Sequence, residues 1–225
     1  MTVDAARHSW RARGSRELAV WLAPAIGVAL AQITAQLVDF QLYDLHLRAL
    51  NANSDKSVVA WLTPVGMALV LAGVLAQLRR GRAPRGRGIA VAALLFGLLL
   101  VAIGRRGAFG DPLSIHRSTL LLASSTLLLT PALGVLLALL LREAREVDVT
   151  TCRLLQIGCA LLVSSYVLHL LGGALADAVG GEHSWTYQVG AALKEGTEVA
   201  GWLTVGLGCC RAAADGRYRR AALAD

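Results

Sequence analysis

The sequence predicts an all-α fold, a polytopic bundle of six transmembrane helices with N- and C-termini both cytoplasmic. Three observations carry this expectation. Hydrophobic residues make up 56% of the 225 residues and charged residues only 16%, and the charges sit in short blocks between long apolar runs, as in membrane chains. Six apolar windows, 18–38, 58–78, 89–104, 120–141, 154–176 and 189–210, approach the ~20 residues a helix needs to cross a bilayer core. The basic residues also sort by side. With the N-terminus inside, sixteen Lys and Arg fall in the cytoplasm, and five, Arg48, Lys56, Arg105, Arg106 and Arg117, fall outside. A positive-inside bias of that size requires an even number of spans. The chain, 1–225, reads as one transmembrane domain. Its net charge of +7 is an orienting signal and a contact for anionic lipids, with no nucleic-acid partner expected.

The first window follows an Arg-rich start but is too long for the apolar core of a cleaved signal peptide, although Ile33-Thr34-Ala35 loosely resembles a processing site. Its second half carries Gln32, Gln36, Asp39, Tyr43 and His46 at alternating four- and three-residue steps, so one helical face is polar. The helix is expected to run to about Leu50 and turn this stripe inward. A solvated helix end would account for Tyr43 and His46 but not for Gln32 and Gln36. The second window contains Pro64, which should kink it, with Thr63 placed to bond a freed carbonyl. Gly81, Pro84, Gly86 and Gly88 then make a tight, Arg-rich cytoplasmic turn into the short third window.

The outer loop before the fourth window reads Asp111-Pro112-Leu113-Ser114-Ile115-His116-Arg117. Asp111 and His116 are expected at the outer mouth of the bundle, although Asp111 followed by Pro112 is also an ordinary helix start. Pro131 lies within the fourth window, after Thr130. The fifth presents a face of Gly158, Ser165, His169, Gly172, Gly173 and Ala176, and the sixth a stripe of Ala192, Gly196, Ala200, Thr204 and Gly208. Small residues at such spacing let backbones approach in lipid, so helices five and six should pack together. Cys152, Cys159, Cys209 and Cys210 fall at cytoplasmic helix ends and are expected as reduced thiols without zinc-module spacing.

The sixth window holds Lys194, Glu195 and Glu198, where an unpaired charge costs ~3 kcal/mol on the insertion scale. Lys194 and Glu198, four apart, suit an intrahelical ion pair, which leaves Glu195. His169, at nearly the same depth in the fifth window, is placed to meet it. Ionisable residues at such depth face the bundle interior or a cavity. The candidate ligand or ion site is therefore Glu195, Glu198, Lys194, His169, Asp39 and Gln36.

The Asp111...Ser114-Ile115-His116 stretch and Lys194-Glu195-Gly196-Thr197-Glu198...Gly201-Trp202 together resemble a group of small bacterial six-helix membrane proteins. There an acidic segment ending in Ser-Ile-His-Glu precedes helix four, and an acid-acid-x-x-acid motif opens helix six. The resemblance implies the six-helix fold and no particular reaction. Pro112, Arg117 and Lys194 stand where the group carries acids, which removes three potential metal ligands.

Four readings follow. The first is a transporter-like or ligand-binding bundle in which Glu195 and Glu198 take up protons or a cation, Lys194 tunes their charge, and His169, Gln36 and Asp39 line an outward path. The second is an intramembrane enzyme in which His116, His169, Asp39 and Glu195 hold zinc or iron against a lipid-like substrate. The third places haem b between transmembrane histidines. The fourth is a non-catalytic scaffold whose charges only pair helices. The chain has no phosphate loop, dinucleotide fingerprint, Gly-x-Ser-x-Gly or His-Glu-x-x-His, which disfavours ATP coupling and the common hydrolases. It shows no inverted repeat, which counts against transport. The balance favours binding or transport over catalysis, with no cofactor required. Arg-heavy, Ala- and Leu-rich usage suits a bacterial protein of the cytoplasmic membrane, and the bilayer is its expected partner.

Overall fold

The computed structural model describes residues 3–43, 47, 61–80, 85–104, 131–142, 148–178, 181 and 183–221. Among them the chain is all-helical, with no strand. Six helices follow in order: α1 (Val3–Tyr43), α2 (Leu62–Arg79), α3 (Arg85–Gly104), α4 (Pro131–Arg142), α5 (Val149–Ala178) and α6 (Trp185–Ala221). Three stretches are long and apolar enough to cross a membrane, Arg16–Tyr43, Leu62–Arg79 and Val149–Gly172. Most of each faces outward, and side chains such as Val20 (71% exposed), Leu30, Phe96, Val163 and Leu170 form an apolar exterior. Water does not tolerate a continuous surface of that kind, and lipid does.

The helix ends follow local chemistry. Asp148 caps α5, its carboxylate accepting the Thr151 N–H at 3.0 Å, and Ser184 caps α6 by accepting the Tyr187 N–H at 3.2 Å. Gly181 stands before this second cap with φ of 102°, a backbone region that a side chain strains. Pro64 lies in the first turn of α2, where its missing N–H would have had no intrahelical partner, so the kink expected there is not needed. The helix expected to reach about Leu50 ends at Tyr43. The Leu47 N–H instead returns to Asp39 Oδ1 at 2.9 Å, and Leu47 is outside any helix.

α6 is the central element, packing against α1, α2 and α5. It has no exposed residue from Lys194 to Ala213. It runs antiparallel to α5, with Leu162 beside Gly201 and Leu155 beside Gly208, and parallel to α2, with Gly66 beside Trp202 and Gly73 beside Cys209. Against α1 it is antiparallel, because Gln188 meets Gln36 and Arg211 meets Glu17. α1 and α5 therefore share one direction, and α2 and α6 the other. The core is one cluster drawn from neighbouring helices, with Val70, Val91, Leu95, Leu136, Leu155, Leu162, Trp202 and Val205 among its members.

The small-residue stripe of α6 does not form one seam. Gly196 packs closely against Ile33 and Ala29 of α1, whereas Gly208 meets Leu154 and Leu155 of α5. α5 and α6 do pack closely, chiefly through Gly158, Leu162, Gly201 and Val205. The four cysteines are free thiols.

Candidate functional site

The polar face of α1 meets α6 along a buried seam. Gln32, Gln36 and Asp39 are all buried, Gln36 and Asp39 completely. Gln36 Nε2 donates to Gln188 Oε1 at 2.9 Å. One turn further out, the Phe40 and Trp185 rings meet at 5.5 Å between centroids with their planes tilted by 34°. Gln188 and Glu195 are two turns apart and so share one face of α6. Among the described residues, Gln32 Oε1 and Asp39 Oδ2 are buried acceptor oxygens with no hydrogen-bond donor. Native proteins rarely leave such atoms unmet, and each costs ~1–3 kcal/mol.

The charged residues of α6 adjoin this seam. The Lys194 ammonium pairs with the Glu195 carboxylate, not with Glu198 alone as the four-residue spacing suggests, and it lies in the field of Glu198 as well. All three side chains are partly buried. Ser165 of α5 closes the far side, donating its hydroxyl to the Lys194 carbonyl at 3.0 Å. His169 is one turn beyond Ser165 on α5 and is exposed. Tyr43 is likewise exposed. His46, Asp111, His116 and Arg117 lie outside the described residues. No group of three or more His, Cys, Asp or Glu that could hold a metal ion occurs among the described residues.

A second polar cluster closes the opposite end. Arg211 of α6 pairs with Glu17 of α1 and, at 3.2 Å, with Asp148 at the head of α5. Its guanidinium also lies 5.7 Å from the centre of the Trp21 ring, and Thr150 Oγ1 donates to Glu17 Oε2 at 3.5 Å. Partial burial pushes the Asp148 carboxyl up, but hydrogen bonds from Thr151 and from Arg211, with the Arg211 charge, outweigh it and hold the group below its ordinary value.

Sequence reasoning missed Gln188, Glu17, Asp148 and Arg211. Gln188 carried a usable signal, since it precedes Glu195 by two helical turns. Arg211 looked like one more orienting cation, and nothing local to it points to Glu17.

The fold and the seam define a class: an all-helical protein whose helices are apolar enough to suggest a membrane protein, with polar side chains buried against its central helix. Beyond that class the comparisons add no relative, for no family model, curated protein or solved structure matches the chain.

Proposed function

We propose that the chain is a six-span protein of the bacterial cytoplasmic membrane, with both termini inside, whose α1–α6 seam binds a small polar ligand or ion for transport or sensing. The observation that carries the binding reading is the pair of donor-less acceptors, Gln32 Oε1 and Asp39 Oδ2, in a seam where acids outnumber bases. The topology draws support from helix direction. The Arg211 clamp, Arg16 at the start of the apolar part of α1, Arg79 and Arg80 at the end of α2 and Arg153 near the start of α5 fall at one end of the bundle, as a cytoplasmic face requires. Between the Glu17–Arg211 and Gln36–Gln188 contacts the chain rises about 29 Å along α1 and about 35 Å along α6, close to a hydrocarbon thickness of about 30 Å.

Reporter fusions at both termini and in the α1–α2 loop test the topology; an active cytoplasmic reporter in that loop would overturn it. For the seam, the full chain in proteoliposomes should show cation- or proton-dependent flux, or saturable ligand binding, that Asp39→Asn and Glu198→Gln diminish. If both variants match wild type in every such assay and in vivo, the polar residues only pair helices and the protein is a scaffold.

A further inference from the structure

Resting on the binding reading above, we propose that the ion is the proton, carried by a file of internal water molecules in the junction of α1, α5 and α6, from Asp39 to the Arg211 clamp. Unmet polar atoms mark the route. Among the described residues, Gln32 Oε1 and Asp39 Oδ2 on α1, Thr151 Oγ1 on α5 and Thr204 Oγ1 on α6 are buried with no hydrogen-bond partner. All four belong to these three helices, and internal water is what completes such groups in proteins.

Helical phase brings the four to one junction. Thr197, Thr204 and Arg211 recur every seventh residue and so share a stripe of α6. Arg211 reaches both Glu17 of α1 and Asp148 at the head of α5, so this stripe looks between those two helices. On α1, Asp39 lies about five turns beyond Trp21, on the same line, and Gln32 falls within about 20° of it. Trp21 lies against the Arg211 guanidinium, which turns that line toward the junction too. Gln36 stands about 60° away from Asp39 and meets Gln188 of α6 directly, so the amide pair flanks the route. α1 and α5 both pack on α6 and touch each other at few points.

The steps suit water. Gly196 beside Ile33 sets Thr197 level with Gln32. Thr204 is about 10 Å inward of Thr197 and about 10 Å from Arg211, and Asp39 is about 10 Å outward of Gln32. About three waters at 2.8 Å spacing bridge one such step. Between Thr197 and Thr204 the bordering side chains are small: Ala25 and Ala200, both buried, each one turn inward of the contact between Ala29 and Gly196. The Thr197 and Ser165 hydroxyls donate to the Lys194 carbonyl and keep lone pairs for a water. A proton taken up at Asp39 passes inward by exchange of O–H bonds along the file, and one proton leaves through the exposed Glu17. One charge crosses and nothing is consumed. The ionisable side chains described near the outer end are Lys194, Glu195, Glu198 and Tyr43, and those at the inner end are Glu17, Asp148 and Arg211.

The test follows internal pH with entrapped pyranine in proteoliposomes of the full chain, under a potassium–valinomycin potential negative inside. Wild type should acidify the lumen at the same rate with or without sodium. Thr204→Val and Gln32→Leu should each slow entry about tenfold, and Thr204→Ser, which keeps the hydroxyl, should not. Thermal midpoints in detergent give a second reading that needs no reconstitution. A Thr204 hydroxyl bonded to water loses those bonds in Thr204→Val, so the midpoint should not rise; in a dry junction, removal of an unmet hydroxyl raises it.

A raised midpoint, or proton entry unchanged in both Thr204→Val and Gln32→Leu, would overturn the water file. No proton entry in wild type, with saturable sodium or ligand binding that Asp39→Asn removes, would overturn it and leave the binding reading standing. Neither entry nor binding, with Asp39→Asn as stable as wild type, would overturn both.

Discussion

At the scale of single residues, the seam works by matching polar groups that lipid would otherwise strand. The Gln36–Gln188 bond is the clearest case, because each amide partly satisfies the other in a place closed to water. Gln36→Leu should therefore cost about 1–3 kcal/mol by leaving Gln188 Oε1 without its donor. The double variant Gln36→Leu with Gln188→Leu should recover much of that loss. A double-mutant cycle from unfolding in detergent measures the coupling, and additive losses would mean the amides do not cooperate. The same logic separates Gln32, Gln36 and Asp39 from Tyr43. All four follow one spacing, yet only the first three are enclosed, because Tyr43 is the last residue of its helix.

At the scale of elements, glycine decides how near helices come to α6. A Cβ at Gly73 would sit 2.6 Å from Cys209 Cβ and 2.7 Å from the Cys209 carbonyl carbon. Backbone cannot move aside as a side-chain tip can, so Gly73→Ala should push α2 off α6 and cost about 1–3 kcal/mol. Gly97 in α3 has nothing within 4 Å of such a Cβ, and Gly97→Ala should be neutral or stabilising by up to about 1 kcal/mol. Thermal midpoints of the two variants in one detergent make the comparison. The close approach also lets Gln77 Nε2 reach the Cys209 carbonyl at 3.1 Å, a polar tie between α2 and α6 that Gly73→Ala should break.

At the scale of the whole molecule, the Arg211 clamp ties α1, α5 and α6 at one end, as the glutamine seam ties α1 and α6 at the other. The native state favours ionised Asp148, whose carboxyl is held below its ordinary value. Its contribution to stability is full above the unfolded carboxylate range near pH 4 and is lost as pH falls through the lower folded value. Asp148→Asn should be less stable than wild type at neutral pH, and the difference should shrink below about pH 4. A difference that stayed constant with pH would show that capping alone, without charge, explains the residue. Helical class, apolar exterior and the inward turn of Gln32, Gln36 and Asp39 were legible in the sequence, because side-chain period and hydropathy are local properties. The partners were not. That Gln188 answers Gln36, that Lys194 bonds Glu195, that His169 is exposed and that Arg211 reaches Glu17 and Asp148 depend on the rotation and register of helices far apart in the chain. Only packing against α6 sets those, since nothing within one helix fixes its phase relative to another.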